Sequence, residues 1–201
     1  MPKTVAVQAL DQIQSVATDI LRPLGFKRKG RCYNRQTKDD LCQVINFQMY
    51  KQGDRFCVNL GVYVPEVATI LGMPTGMKWV QEYHCCIRDR IGRNGIDGTD
   101  MWWVLKRVED LGPKIALRLE KEALPYLAQY ETRELVLKTL KQDLSRPSLS
   151  ASPKLVCAAI LKEQGDVESA VTFLQSLLDD CSNEAQKDYV HEIATNMAIS
   201  L

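Results

Sequence analysis

The sequence has no surplus of either charge, only two histidines and no long apolar run. Lys and Arg number 26 against 25 Asp and Glu, for a net charge of +1, so no global field draws the chain toward nucleic acid or an anionic membrane. Any such attraction must be local. No stretch approaches the roughly 20 apolar residues of a spanning helix, and the opening MPKTVAVQALDQIQSV lacks the unbroken apolar core of a secretory signal. These absences lead to the expectation of a cytoplasmic protein with no membrane partner. Seven cysteines, an odd number with no CxxC pair, argue against a disulfide framework. They sit in apolar patterns and are expected to be reduced core residues.

What is present is enough apolar material, 45% of 201 residues, to bury a substantial core. Residues 4 to 21 place Ala6, Leu10, Ile13, Ala17, Ile20 and Leu21 on one helical stripe after a Thr4 N-cap, and Pro23 and Gly25 end it. Three extended runs follow, at about 31 to 36, 41 to 50 and 55 to 64, separated by TKDD and QGD turns. They read as an antiparallel meander. PEVATIL is expected to be a short helix starting at its proline, and EYHCCIRDRIG a fourth strand. Thr99 or Asp100 should cap a helix carrying Met101, Val104, Leu105, Val108 and Leu111, with Gly112-Pro113 breaking it before a restart through KIALRLEKEALPYL. A further helix is expected over 131 to 144. SRPSLSASP, residues 145 to 153, is the expected linker between an α+β domain (1–144) and a three-helix extension (154–201) that packs back on it.

The hairpin QVINFQMYKQGDRFCVNLGVYV, residues 43 to 64, carries amides where aliphatics would be more usual. A turn centred on Gln52-Gly53 pairs Met49 with Phe56, Phe47 with Val58 and Ile45 with Leu60, and on the other face Gln48 with Cys57 and Asn46 with Asn59. The same counting across TKDD sets Arg35 opposite Cys42, Tyr33 opposite Val44 and Arg31 opposite Asn46. The expected polar row is therefore Arg31, Asn46 and Asn59, flanked by Tyr33, Gln48 and Tyr63. In the fourth strand, alternation puts His84, Cys86, Arg88 and Arg90 on one face, which would add guanidinium groups to that row. The opposite, apolar face needs a cover, and the N-terminal helix is the natural one. The amides have two readings. Either they hydrogen-bond within the sheet, or with the tyrosines and arginines they line a groove for a peptide, a carboxylate or a phosphate.

Other candidate chemistry is weaker. Lys27, Arg28, Lys29 and Arg31 form a basic cluster, but a solvated loop accounts for it as well as a nucleic-acid patch does. Glu82, His84, Cys85 and Cys86 look metal-like, yet alternation separates Cys85 from its neighbours and His191 is remote. GRNGIDGTD lacks both phosphate-loop spacings. The pairs Asp39-Asp40 and Asp179-Asp180 lie at a turn and a helix end, where capping suits them better than acid–base work. No nucleophile, base and orienting group come together, so no catalytic residue, metal or cofactor is assigned.

The segments LRPLGFKRKGRCYNR, QVINFQMYKQGDRFCVNLGVY, CCIRDRIG, WWVL and ALPYL, in that order over about residues 5 to 140, resemble the bacterial domain-of-unknown-function family DUF4304. The resemblance implies a bacterial α+β protein and carries no activity, cofactor or catalytic residue with it. It draws attention to Asn46, Asn59, Arg88 and Arg90. The expectation is an α+β fold, an antiparallel sheet of four or five strands on an N-terminal helix followed by an all-helical extension. Its expected role is a non-enzymatic binding or regulatory module that uses the polar sheet face, neutralising or sensing a partner. The expected ligands are a protein or peptide, or a small anion. The alternative is a hydrolase or nucleic-acid-processing enzyme holding an anionic substrate through Arg31, Arg88 and Arg90.

Overall fold

A computed structural model describes residues 4–92, 101–105, 108–145 and 151–201. Helix α1 (Val5–Leu21) starts where Thr4 Oγ1 accepts the Val7 N–H, and a 3-10 turn at Arg22–Leu24 closes it at Gly25. Gly25 has φ +87°, a conformation that costs a glycine little. The apolar stripe Leu10, Ile13, Ala17 and Leu21 is fully buried.

The sheet comprises β1 (Lys27–Lys29), β2 (Cys32–Gln36), β3 (Cys42–Met49), β4 (Arg55–Tyr63) and β5 (Ile87–Arg90), in sequence order and antiparallel throughout. A two-residue strand, β6 (Trp103–Val104), pairs with the start of β4. The β3–β4 register is the expected one, with Asn46 opposite Asn59 and Gln48 opposite Cys57.

The β2–β3 register is shifted by one residue from the expectation. Cys32, not Arg31, lies opposite Asn46; Tyr33 lies opposite Ile45 and Arg35 opposite Gln43. The cause is the turn. Asp40 takes a left-handed conformation at φ 57°, Thr37 N–H bonds the Leu41 carbonyl at 2.8 Å, and Thr37 Oγ1 accepts the N–H groups of Asp39 and Leu41. The loop therefore holds three residues where the counting assumed two, and a one-residue slip moves every side chain of the strand to the other face. Tyr33 consequently belongs to the apolar face. Its hydroxyl donates to the Gln14 carbonyl at 2.9 Å and also meets Thr18 Oγ1.

That apolar face carries an aromatic lane across four strands, with Tyr33–Phe47, Phe47–Phe56 and Phe56–Trp103 centroids 5.9, 6.2 and 5.5 Å apart. Trp103 is the reason residues 101–105 are extended. Ring stacking and pairing with β4 outweigh the helical spacing of Met101, Val104 and Leu105. The helix begins later, as α3 (Val108–Arg118), and Gly112-Pro113 does not break it. A Cβ at Gly112 would sit 3.2 Å from Val16 Cγ2, so the glycine serves close approach of α1 and α3. The helix continues through a π turn (Leu119–Ala123) into α4 (Leu124–Ala128). Gln43, fully buried on this face, accepts from Arg35 and donates to the Leu127 carbonyl at 2.7 Å, tying β3 to α4.

Helix α2 (Pro65–Ile70) follows β4, and α5 (Arg133–Gln142) starts at Thr132. Arg133 binds Glu66 with 2.7 and 2.9 Å hydrogen bonds, and its N–H reaches the Asp39 carboxylate. Asp39 thus anchors the start of α5. Helices α6 (Pro153–Glu163), α7 (Val167–Asp179) and α8 (Glu184–Asn196) complete the chain. α6 packs on α2 and α5, Asn196 donates to the Ile70 carbonyl, and residues of α6 to α8 share one apolar cluster with the sheet. The expected cap at Thr99 or Asp100, all of the GRNGIDGTD stretch after Gly92 and most of the expected linker lie outside the described residues; Ala151, near the linker's end, is buried and its N–H bonds the Cys86 carbonyl.

Candidate functional site

The second face of the sheet has two halves. One half lies under the segment 71–86. Val80 exchanges hydrogen bonds with the Asn34 side chain at 2.8 and 3.0 Å, Glu82 holds Arg88 Nε at 2.6 Å, and Tyr63 donates to the Pro74 carbonyl at 3.1 Å. Beneath this segment Cys32, Cys42, Val44, Tyr63, Ala68, Val80 and Cys85 form a small core of their own. Gly61 makes it fit, since a Cβ there would stand 2.6 Å from Cys85 Sγ. Residues 82–84 form a 3-10 turn, so the expected fourth strand is regular only from Ile87. Cys86 turns into the main core instead of joining Arg88 and Arg90 on the polar face.

Burial holds the thiols in their neutral form. Cys32 is pushed up to about 11, Cys42 and Cys86 to about 12, and Cys85 well above its ordinary value. A nucleophilic cysteine needs the opposite shift. Among the described residues, no three His, Cys, Asp or Glu side chains stand together in a way that could hold a metal ion.

The other half is polar. Asn59, only 3% exposed, donates to Gln48 Oε1 at 2.8 Å and accepts from Arg90 Nε at 2.7 Å. Its carboxamide is therefore satisfied within the sheet. Asn46, one strand away, is half-buried and makes no side-chain hydrogen bond with the described residues; Gln48 is exposed. Above this pair runs a second layer of alternating cations and rings. Arg90 sits over Trp102 at 5.3 Å, Trp102 meets Tyr50 edge-on at 5.3 Å, and Arg55 covers Tyr50 at 5.1 Å. These guanidinium–ring contacts brace both arginines against the rings.

Of the expected site residues, Asn46, Gln48, Asn59 and Arg90 come together. Arg88 and Tyr63 share their face but are engaged by Glu82 and the 71–86 segment. Arg31 and Tyr33 leave the site: Arg31 stands opposite Phe47, its carbonyl accepting the Phe47 N–H, and Tyr33 is in the core. The expected convergence of Arg31, Arg88 and Arg90 on one substrate is contradicted, because Arg31 lies at the β1–β2 end of the sheet and the other two on β5. Arg90 does border a cleft of ≈ 160 Å³ with Asp89, Glu122 and Tyr126, but neither Arg88 nor Arg31 reaches it.

Four further residues belong to the surface. Tyr50 and Arg55 follow from extending the β3–β4 register past Met49 and Phe56, a step the counting stopped short of. Of Trp102 and Trp103, expected to open a helix with one in the core and the other able to anchor an interface, Trp103 is the core residue and Trp102 lies on this surface; Lys29, expected in a solvated loop, is on a strand. Lys29 pairs with Cys32 and Lys27 with Asn34, so both lysines face the same way as Asn46.

Residues 17–129, more than half of the chain, match the model of a family described as a domain of unknown function, DUF4304. No curated protein and no solved structure matches the chain. Among the described residues no helix is long and apolar enough to cross a membrane.

Proposed function

The chain belongs to the DUF4304 family, and from that premise we propose that it is a non-enzymatic binding module whose polar sheet face, around Asn46, Gln48 and Arg90, receives a partner. The observation that carries this reading is Asn46. A carboxamide on a central strand normally finds a partner inside the protein, as Asn59 does, yet Asn46 has no side-chain hydrogen bond among the described residues and lies beside a braced layer of arginine and aromatic side chains. The raised thiols and the scattered arginines favour binding over catalysis. The cytoplasmic setting, and the division into an α+β unit (1–144), a linker (145–153) and a helical extension (154–201), are part of the same proposal. Unpaired cysteines support the first, and the packing of α6 on α2 and α5 supports a bracing role for the extension.

The test is site-specific. A photo-crosslinking residue replaces Gln48 or, as a control, the exposed Glu168 on α7. In the producing cell the Gln48 position should yield a discrete adduct that the Glu168 position does not, and Asn46→Ala should weaken it with no change in melting temperature. Identical adducts from both positions, or none from Gln48, would remove the reading.

A further inference from the structure

We propose that the cleft where α2, α5, α6 and α8 meet binds a small zwitterion, an amino acid with an aliphatic side chain. The cleft has a volume of ≈ 300 Å³, at the lower bound of about 300 Å³ for small-molecule sites, a size that suits a small metabolite and not a nucleotide cofactor. It shares no lining residue with the polar sheet face, so the inference stands independently of the binding reading above.

On the α2 and α5 side the charges cancel. Arg133 closes Nε and Nη2 on the Glu66 carboxylate at 2.7 and 2.9 Å, and its Nη1 donates to the Asp39 carbonyl. The α6 side is different. Lys162 and Glu163 stand three and four residues beyond Ala159, so they flank it on one face of the helix, and the Ala159 methyl is too short to fill the space between them. Lys162 is half-buried, Glu163 is exposed at the rim, and neither has an ion-pair or side-chain hydrogen-bond partner among the described residues. As neighbours in sequence the two do not face each other.

The four charges lining the cleft therefore sum to zero, with one pair spent on itself and the other open. A ligand of single charge would answer one of the open groups and leave the other without a counter-ion, whereas a ligand that is neutral overall but charge-separated answers both. Its orientation follows from the helix ends. α6 ends at Glu163 and α8 at Asn196, both at the cleft, and the negative ends of their dipoles favour an ammonium beside Glu163, which leaves the carboxylate to Lys162. The Asn196 carboxamide spends one N–H on the Ile70 carbonyl at 3.2 Å and has a second N–H and an oxygen with which to address the same ligand. Ile70 and Met197, both buried, supply apolar surface for an aliphatic side chain. Because α2 lies inside the stretch that matches the family and α6 and α8 lie beyond it, the bound amino acid would join the two.

Isothermal titration calorimetry on the full chain tests this with L-leucine and its two half-charged analogues, isocaproate, which lacks the ammonium, and isoamylamine, which lacks the carboxylate. Leucine should bind, and each analogue should bind at least about tenfold more weakly, the loss expected for one charged contact. Lys162→Gln should weaken leucine and isocaproate by at least about tenfold and spare isoamylamine, and Glu163→Gln should weaken leucine and isoamylamine and spare isocaproate. Neither side chain has a partner to lose among the described residues, so both variants should melt like the parent. No heat from leucine at about 10 mM, an analogue that binds as tightly as leucine, or a leucine affinity that either substitution leaves unmoved would each overturn the inference.

Discussion

The two faces of this sheet are built from the same strands and meet different fates. On one face Tyr33, Phe47, Phe56 and Trp103 interlock beneath α1 and α3, and the polar groups there, Gln43 and the Tyr33 hydroxyl, are satisfied by helix carbonyls. On the other, half the area is sealed by the 71–86 segment, and the remainder keeps at its surface the Asn46 carboxamide, with no hydrogen-bond partner among the described residues, beside the ring-braced Arg55 and Arg90. Selection for stability alone favours the first solution, since a buried side chain contributes roughly 1.5–3 kcal/mol. The second is the surface to which the proposed function assigns recognition.

The largest effect should come from the covered face. Phe47→Ala removes a fully buried ring from the centre of the aromatic lane, at a cost of about 3–5 kcal/mol, and denaturant titration should show most of the protein's stability gone. A small loss there would erase the contrast between the faces.

The sealed half of the second face should respond to alkali. Cys32, Cys42 and Cys85 stay protonated in the fold because burial raises them above their ordinary 9.0, while in the unfolded chain they ionise near that value. Their contribution is intact below pH 9 and is lost as pH climbs toward 11 and beyond. Between pH 9 and 10 the loss should be roughly 1 kcal/mol for each thiol, read as a falling denaturation midpoint that Cys42→Ala makes shallower. A flat profile would mean that these thiols are solvated.

Gly61→Ala should cost about 1–3 kcal/mol by overpacking, because its Cβ would collide with Cys85, and should speed proteolysis within 71–86. Smallest of all, Asn46→Ala should change stability by no more than about 0.5 kcal/mol while weakening the Gln48 adduct.

Most of the first face and its helix could be read from periodicity, and the β3–β4 pairing followed from one turn. The second turn could not be read the same way. Whether Asp40 adopts a left-handed conformation decides between two and three loop residues, and Asp does so often enough that TKDD is compatible with either. That single residue moved Arg31 and Tyr33 out of the site. Met101–Leu105 failed for a different reason: its spacing suits a helix, and only the long-range pairing of Trp103 with Phe56 makes it a strand. Local pattern carries no information about a partner about fifty residues away in sequence. Arg88 and Arg90 were placed on the correct face, but the carboxylate that occupies Arg88, Glu82, sits on a 3-10 turn that the strand reading had smoothed over.

The most direct test of the polar face is the exchange of side-chain amide protons with water in a ¹⁵N–¹H spectrum. The Asn46 carboxamide, which has no hydrogen-bond partner among the described residues, should exchange faster than those of Asn34, Gln43 and Asn59, which donate inside the protein. An Asn46 carboxamide as protected as those three would contradict the account.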